Sequence, residues 1–246
     1  MISLLVTLQF SASGAHYIVI GDIHGVSKSS VFRAARRTTA AICTLRDRFP
    51  KVIGVSDGTQ IKIKSPRENE NDFVNRKGYH SINVQMVCDA RFGITNVVGK
   101  WPGSVHDSRI FRESELCRKE NGELEGLLLG DSGYPCRSYL MTPYMNIQTA
   151  AQERYNIALT RTRVIIEQTF GVLKRRFPCL SYGLRTETTS APKVTVACVV
   201  LHNFGMERGD ILERVVDEPL ETPEAVVDVN QAGARCRDVF ASTHFT

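Results

Sequence analysis

Residues 52 to 63 read V-I-G-V-S-D-G-T-Q-I-K-I, an apolar and β-branched run that contains a single acid, Asp57. The abundance of Val and Ile predicts strand structure before this acid, from Val52 to Val55, and after it, from Gln60 to Lys64. A carboxylate inside or beside a buried strand is costly unless a metal ion or a charged partner compensates it. The stretch therefore predicts a strand that carries a functional acid.

The elements around this strand have the pattern of a mixed α/β domain. Further strands are predicted at His80 to Ala90, Ile94 to Lys100 and Leu127 to Leu129. Helical spacing occurs at Asp107 to Glu120, Thr160 to Phe177 and Lys193 to Phe204. Three strands in meander order, then a helix, a short strand and more helices, predict a mixed sheet flanked by helices rather than a strict β-α-β alternation.

Residues 1 to 49 predict a small helical segment. The region from Gly21 to Val26 is expected to be a turn, after which Ser27 is a plausible N-cap of a helix that runs to Leu45. This outline resembles a helix-turn-helix whose DNA-reading stripe contains three arginines, Arg33, Arg36 and Arg37. Two packed helices with a solvated arginine face explain the same pattern, and the sequence leaves both interpretations open.

The string G-D-I-H-G at 21 to 25 resembles the metal-binding opening of calcineurin-like phosphoesterases. Such enzymes need a later GD-x-x-D-R and a GNH-type segment, and the sequence contains neither. A turn in which glycine supplies a positive φ and Asp22 acts as a cap is therefore the favoured interpretation.

Charge is distributed unevenly along the 246 residues, whose formal net charge is +5. Residues 207 to 228 hold eight acids and two bases, a net charge of −6, whereas residues 1 to 206 carry +10. A basic body suits a polyanionic partner such as nucleic acid. The acidic region also contains Pro219 and Pro223, and residues 207 to 246 are predicted to form a loosely ordered tail.

Seven widely spaced cysteines without a C-x-x-C motif indicate reduced thiols in an intracellular compartment. No apolar run approaches the ~18 residues that a membrane span needs, so no membrane association is expected.

Three more acids stand at the ends or on the faces of predicted elements. Asp131 closes the apolar run L-L-L-G, Glu167 interrupts the apolar helix stretch V-I-I, and Asp107 follows a W-P-G-S turn at the start of a helix. Acids that project from strand ends and helices into one cleft can hold two Mg²⁺ ions roughly 3.5 to 4 Å apart, because hard cations prefer oxygen ligands.

Each acid also has a structural interpretation. Asp107 could be an N-cap, with Ser104 and Ser108 as alternatives, and Asp57 and Asp131 could be turn residues. Glu167 could form an i to i+4 ion pair with Arg163. His106 could assist the cleft or make a structural hydrogen bond. The joint order favours function: two aspartates at strand ends are followed by a glutamate on a helix 36 positions beyond Asp131.

That order resembles the ribonuclease H-like polynucleotidyl transferases, and the motifs narrow the resemblance to the PIF/Harbinger transposases and the nucleases derived from them, a DDE superfamily. The matching stretches span about residues 50 to 205 in the family's order: VIGVSDGTQIKI, NRKGYHSINVQMVCDARFGITNVVGKWPGSVHDSRIF, LLLGDSGYP, RYNIALTRTRVIIEQTFGVLKRRFPCL and VACVVLHN. The N-terminal LLVTLQFSASGAHYIVIGDIHGVSKSSVFR also resembles the family's helix-turn-helix.

The resemblance implies a ribonuclease H-like nuclease domain over residues 50 to 206. It implies Mg²⁺ or Mn²⁺ bound at Asp57, Asp107, Asp131 and Glu167, with the catalytic roles assigned to Asp57, Asp131 and Glu167. The implied activity is cleavage of DNA or strand transfer by a two-metal mechanism. The alternative is a catalytically inactive DNA-binding or partner-binding protein on the same fold.

The resemblance also implies a Myb/SANT-like DNA-binding partner and a location in the nucleus and cytoplasm, without fixing the oligomeric state. Gln60 departs from the family, because many members have His there. The chain begins late compared with full-length members, so part of the DNA-binding region is expected to be missing.

Basic residues near these acids are candidates for phosphate contacts. Arg76 and Lys77 lie in a loop before the second strand, and Arg163 precedes Glu167 by one helical turn. Lys174, Arg175 and Arg176 follow Glu167 and could either bind DNA phosphates or form a solvated helix end that the helix dipole favours.

Overall fold

A computed structural model of the chain describes residues 5, 6, 9, 10, 13, 15–43, 54–118, 126–210 and 230–245, and the side chains of 36–43 lie outside that description. A five-stranded sheet forms its centre, in the order β3-β2-β1-β4-β5. The strands are β1 (Val55–Lys62), β2 (Ser81–Cys88), β3 (Ile94–Pro102), β4 (Leu128–Leu129) and β5 (Leu140–Met141).

The sheet is mixed. Strands β1, β2 and β3 form an antiparallel meander, whereas β4 pairs in parallel with β1 and β5 in parallel with β4. This topology, with helices on the sheet's two faces, is consistent with a ribonuclease H-like fold, and the predicted α/β fold class is confirmed. Strand β5 was not predicted, because two paired residues leave too short a pattern to detect.

The helices are α1 (Tyr17–His24), α2 (Lys28–Cys43), α3 (Asp107–Arg112), α4 (Glu115–Arg118), α5 (Ala150–Arg176), α6 (Cys179–Tyr182), α7 (Ala191–Glu207) and α8 (Gln231–His244). Helix α5 begins ten residues earlier than predicted. The reason is an N-cap: the hydroxyl of Thr149 accepts a hydrogen bond from the backbone N–H of Gln152 at 3.2 Å. The helix predicted from Asp107 to Glu120 is instead divided into α3 and α4.

The two faces of the sheet have separate cores. Helices α5 and α7 cover one face, where Ile61, Val84 and Met86 pack with Ile166 and Leu173. The other face carries a smaller apolar cluster under α3: Val87, Phe111, Leu116, Leu128, Tyr134, Tyr139 and Leu140. Because side chains alternate across a strand, each strand residue can be assigned to the α5 face or the α3 face.

The N-terminal helices share the main core. Ile20 of α1 and Val31 of α2 are fully buried in the cluster beneath α5 and α7, and α2 packs on α7. The predicted turn from Gly21 to Val26 is wrong, since Gly21–His24 is helical and only the following residues turn, with Gly25 at φ 65°. Asp22 therefore lies inside α1 and is not a cap. The predicted N-cap is present, because the Ser27 hydroxyl accepts from Ser30 N–H at 3.2 Å.

Strand β2 differs from its sequence pattern in one respect. Ser81, Asn83 and Gln85 alternate with apolar residues, which is typical of a strand with one solvated face. All eight residues of β2 are buried, however, because α3 and the preceding loop cover the polar side. These polar side chains therefore need partners inside the protein.

The last two residues of the V-V-L-H-N motif in α7 form hydrogen bonds with the backbone of the β2–β3 turn. Asn203 donates from Nδ2 to the carbonyl of Ile94 at 2.6 Å and accepts from Ile94 N–H at 2.8 Å, as a neighbouring strand would. His202 Nε2 lies 2.9 Å from the carbonyl of Phe92, whose φ is 66°. Two side chains thus fix a turn in which a non-glycine residue holds a left-handed conformation.

The prediction of a loosely ordered tail over residues 207 to 246 is wrong for the C-terminal part of that range. Helix α7 continues to Glu207, and Gln231–His244 forms α8, which packs against α5 and β5. The hydroxyl of Tyr144 donates to Asp238 of α8 at 2.7 Å, and Arg237 donates to the carbonyl of Pro143 at 2.9 Å. Most of the acidic stretch, residues 211 to 229, lies outside the described residues.

The six cysteines whose side chains are described are free thiols. Over the described part of the chain, no helix combines the length and the apolar character that crossing a membrane requires.

Candidate active site

Parallel pairing of β1 with β4 brings two of the predicted acids side by side. Val55 pairs with Leu129, so Asp57 and Asp131, each two residues further on, lie level with one another. Each carboxylate is anchored by one oxygen: Asp57 Oδ1 accepts from Gly58 N–H at 2.8 Å, and Asp131 Oδ1 accepts from Gly133 N–H at 2.9 Å. The Asp131 contact is the Asx-type turn that its structural interpretation predicted.

The other oxygen of each aspartate faces Arg163 of α5. Arg163 Nη2 lies 3.0 Å from Asp57 Oδ2 and 3.9 Å from Asp131 Oδ2. All three side chains are largely buried, with exposures of 13%, 15% and 7%. One guanidinium therefore faces two carboxylates in a setting that solvent screens poorly.

Asp107 reaches the cluster from the opposite face of β1. Successive strand residues face opposite sides of the sheet, and a Cβ atom at position 58 would collide with the carboxylate of Asp107. Asn83 of β2 holds this carboxylate by donating from Nδ2 to Asp107 Oδ1 at 2.7 Å and to Val105 O at 2.9 Å. Asp107 is the first residue of α3 and follows the N-cap, His106, so its predicted capping role is wrong.

Glu167 stands one helical turn after Arg163, on the side of α5 that faces the aspartates. Burial raises its pKa, Arg163 lowers it, and the charge of Asp131 raises it further. Glu167 therefore belongs to the same electrostatic cluster as Asp131 and lies on the α5 face with Asp57. The structure thus brings Asp57, Asp131 and Arg163 into contact on one face, where Glu167 interacts electrostatically with Arg163 and Asp131, and places Asp107 behind the strand.

Burial and mutual repulsion raise the pKa values of the acids. The pKa of Asp57 rises to about 8, chiefly through burial and then through the charge of Asp131, although Arg163 opposes the shift. Burial raises the pKa of Asp107 to about 6 against the hydrogen bond from Asn83, and burial also raises the pKa of Asp131. Arg163 therefore compensates the cluster only in part.

The donor chemistry of this cluster fits a hard divalent cation. Asp57 Oδ2 and Asp131 Oδ2 both face Arg163, and burial, followed for Asp57 by the charge of Asp131, raises the pKa values of the two acids. Carboxylate oxygens are the ligands that Mg²⁺ and Mn²⁺ prefer. As the structure stands, however, no three His, Cys, Asp or Glu side chains among the described residues are grouped so that they could hold a metal ion.

A family model described as DDE superfamily endonuclease matches residues 56–203, which is more than half of the chain and includes all four acids. The chain belongs to this family. The predicted relationship to Harbinger-type, transposase-derived nucleases is confirmed.

Curated proteins that resemble this DDE chain include vertebrate proteins with the name "Putative nuclease HARBI1" and plant proteins. It is 34% identical over 277 aligned positions to "Putative nuclease HARBI1" of Bos taurus, with 99% of this chain and 79% of that protein covered. The HARBI1 protein of Homo sapiens is 34% identical over 276 positions, covering 98% and 79%. "Protein ALP1-like" of Arabidopsis thaliana is 23% identical over 271 positions, covering 94% and 66%. No solved structure matches.

A buried polar layer on the α3 face of this DDE domain was not predicted from the sequence. Asn83 fixes Asp107, and neither amide atom of the fully buried Gln85 has a partner among the described residues. Tyr134, also buried there, has a pKa well above its ordinary value because of burial and the charges of the three aspartates. The sequence feature that could have indicated this layer is the alternation of three polar residues with apolar residues along strand β2.

The predicted DNA-binding residues occupy different environments. Arg33, Arg76 and Lys77 are exposed, whereas the side chains of Arg36 and Arg37 lie outside the described residues. Lys174 and Arg175 are half-buried. Arg176 is 9% exposed, pairs with Asp210 at 3.4 Å and also donates to the carbonyls of Asp210 and His202. Arg176 is therefore engaged inside the fold rather than presented to DNA.

We expect the stability of the metal-free protein to fall as the pH rises from about 4 to about 8. The folded state keeps Asp57 protonated up to about pH 8, whereas the unfolded chain releases this proton near pH 4. The stabilising contribution is complete below the unfolded pKa and disappears as the pH passes the folded pKa, at up to ~1.4 kcal/mol per pH unit for each such group. Urea unfolding in EDTA between pH 5 and pH 9 measures it.

The matched variants are Asp57→Asn and, as a control, Asp72→Asn at an exposed position. The Asp57 variant should become more stable relative to wild type as the pH rises, whereas the Asp72 variant should follow wild type. A constant difference between Asp57→Asn and wild type from pH 5 to pH 9 would contradict the assignment.

Proposed function

We propose that this protein is a divalent-metal-dependent nuclease that cleaves DNA phosphodiester bonds. The observation that carries the proposal is the group of acids at the positions that the DDE family model matches: two largely buried aspartates, on β1 and after β4, that Arg163 compensates only in part, and a half-buried glutamate on α5. Members of this superfamily normally use divalent metal ions. A bound pair of such ions activates water and stabilises the leaving 3′ oxygen of a phosphodiester.

In this proposal, Asp57, Asp131 and Glu167 hold the metal through carboxylate oxygens. The backbone donors of Gly58 and Gly133 fix one oxygen of each aspartate, which orients the other toward α5. Asp107 acts from behind β1: it adds negative potential to the site and is held against Gly58 by Asn83. It is therefore the least direct of the four ligands that the sequence suggested.

The loop from Asn75 to Tyr79 supports the DNA part of the proposal. Asn75, which is buried, accepts from the N–H groups of Lys77 at 3.0 Å and Tyr79 at 3.3 Å. This turn is completed by Gly78 at φ 76° and presents Arg76 and Lys77 to solvent. A loop preorganised by its own hydrogen bonds loses little entropy when it binds a phosphate.

Arg76 lies beside the acids. Its Nη2 is 2.7 Å from His106 Nδ1, and because arginine only donates, this histidine nitrogen acts as the acceptor. The positive charge of Arg76 lowers the pKa values of both Asp107 and Asp131. We therefore propose that Arg76 and Lys77 bind the DNA backbone next to the scissile phosphate.

Several expectations from the sequence stay predictions. They are DNA contacts by Arg33, Arg36, Arg37, Lys174 and Arg175, a Myb/SANT-like partner, and a location in the nucleus and cytoplasm.

Cleavage of supercoiled plasmid in Mn²⁺ tests the proposed activity. Asp57→Asn, Asp131→Asn and Glu167→Gln should each lower the rate on the order of a thousandfold, because an amide keeps the shape of the acid but removes the charge that holds a cation. Asp107→Asn should lower it less, since Asp107 lies on the other face of β1.

Asp72→Asn, at an exposed position, is the matched control and should cleave like wild type. Circular dichroism should show that all five variants are folded. Undiminished cleavage by folded Asp131→Asn, or equal cleavage in Mn²⁺ and in EDTA, would contradict the proposal and favour a protein that uses this fold only as a scaffold.

A second prediction separates DNA binding from chemistry. Replacing Arg76 and Lys77 together by Gln should weaken binding to duplexes of any sequence. The slope of log affinity against log salt should fall by up to ~0.9 for each DNA phosphate that the variant no longer neutralises. Fluorescence anisotropy in Ca²⁺ measures affinity with little turnover.

The control for charge alone is Lys64→Gln with Arg67→Gln, which removes two equally exposed cations. It should change the salt slope less than the loop variant. Equal slopes for the two double variants would show that the loop has no special place on the DNA path.

A further inference from the structure

Arg163 is largely buried, but its guanidinium contacts Asp57 and Asp131 through one nitrogen atom only. The same nitrogen, Nη2, is the one that approaches both Asp57 and Asp131, at 3.0 and 3.9 Å. Its Nε is buried and has no hydrogen-bond partner among the described residues. A structural arginine–carboxylate pair ordinarily uses two parallel N–H groups of the guanidinium fork. Arg163 therefore supplies charge to the aspartates without the geometry that would lock it in place.

The positive charge of Arg163 is also too small to neutralise all the ionised acids around it. A single positive charge faces two aspartates, with Glu167 one turn away on the same helix. A buried group of acids in this condition binds further positive charge favourably, and a divalent ion supplies twice the charge of a guanidinium in a smaller volume.

The Arg163 guanidinium also lies beside the aspartate oxygens that would bind such an ion. Asp57 Oδ1 and Asp131 Oδ1 accept hydrogen bonds from the N–H groups of Gly58 and Gly133, whereas the two Oδ2 atoms lie on the side of Arg163. Arg163 Nη2 is the cationic group that faces both of them. A divalent ion on these oxygens would repel the guanidinium strongly, because like charges at such distances are poorly screened inside a protein.

We propose that Arg163 is a resident counter-cation, which a divalent metal ion displaces from the Asp57–Asp131 pair, and that the displaced guanidinium then binds a DNA phosphate. The inference rests on the proposed nuclease function and adds an order of events to it. Metal binding releases a cation toward the substrate, so DNA affinity and metal affinity are coupled through one side chain.

Calcium calorimetry at pH 9, where the carboxylates are ionised, tests the displacement. Arg163→Gln should bind Ca²⁺ at least about tenfold more tightly than wild type, because the ion no longer competes with a guanidinium. Arg161→Gln controls for a change at an exposed position on the same helix, and Arg67→Gln controls for the loss of an exposed positive charge elsewhere. Both controls should stay within about threefold of wild type.

A measurement on the wild-type protein covers the case in which Arg163→Gln does not fold. Phenylglyoxal labels accessible guanidinium groups, and mass spectrometry quantifies labelling at each arginine. Labelling of Arg163 should rise at least about threefold when Ca²⁺ is added at pH 9, whereas labelling of exposed Arg161 should not change. Duplex DNA added with Ca²⁺ should suppress the new labelling, since a phosphate then covers the guanidinium.

The outcomes separate the two proposals. If wild type binds Ca²⁺ but Arg163→Gln binds no more tightly than the controls, or if labelling of Arg163 does not change, the displacement is overturned and the metal site stands. If labelling rises with Ca²⁺ and DNA does not suppress it, the phosphate contact is overturned. If neither wild type nor Arg163→Gln binds Ca²⁺, the displacement and the proposed metal-dependent function both fail.

Discussion

The burial of two carboxylates side by side is the constraint on which this structure depends. One parallel residue pair, Val55 with Leu129, sets Asp57 and Asp131 level on neighbouring strands. Repulsion between buried charges would oppose that arrangement, and the protein offsets it with backbone N–H donors on one side and a single guanidinium on the other. The compensation is partial, because burial and then the charge of Asp131 raise the pKa of Asp57 to about 8 against the opposing effect of Arg163. The buried acids therefore make the folded protein less stable than apolar residues at the same positions would. Such perturbed groups are typical of functional sites.

Elements on both faces of the sheet hold the side chains around these two carboxylates in place. Helix α5 packs on β1 and presents Arg163 and Glu167 to the aspartates, and its length of 27 residues extends that rigid platform in both directions. On the other face, Asn83 holds Asp107 against Gly58, where any side chain would collide with the carboxylate. Glycine at this position is thus explained by the close approach of an acid rather than by backbone conformation.

Much of this arrangement could be predicted from the sequence, because the acids interrupt apolar runs at element ends. Asp57 and Asp131 stood out in V-S-D-G and L-L-L-G-D, and the motif order led to the correct family and fold class. The role of Arg163 as the partner of Asp57 could not be predicted, since the two residues are 106 positions apart and helix periodicity paired Arg163 with Glu167 instead. Helix α8 was not predicted either, because it follows an acidic, proline-containing stretch. The hydrogen bond between Tyr144 and Asp238 that holds it in place joins residues far apart in the sequence.

The most direct test of the central claim is to count the protons released when a metal ion binds. Calcium titration at pH 7, in buffers of different ionisation enthalpy, gives this number from calorimetry. Because Asp57 is largely protonated at that pH, the account predicts release of roughly one proton per protein on binding, and little release in Asp57→Asn. Binding to wild type with no proton release, or equal release from the two proteins, would contradict the claim that metal binds at the buried aspartates.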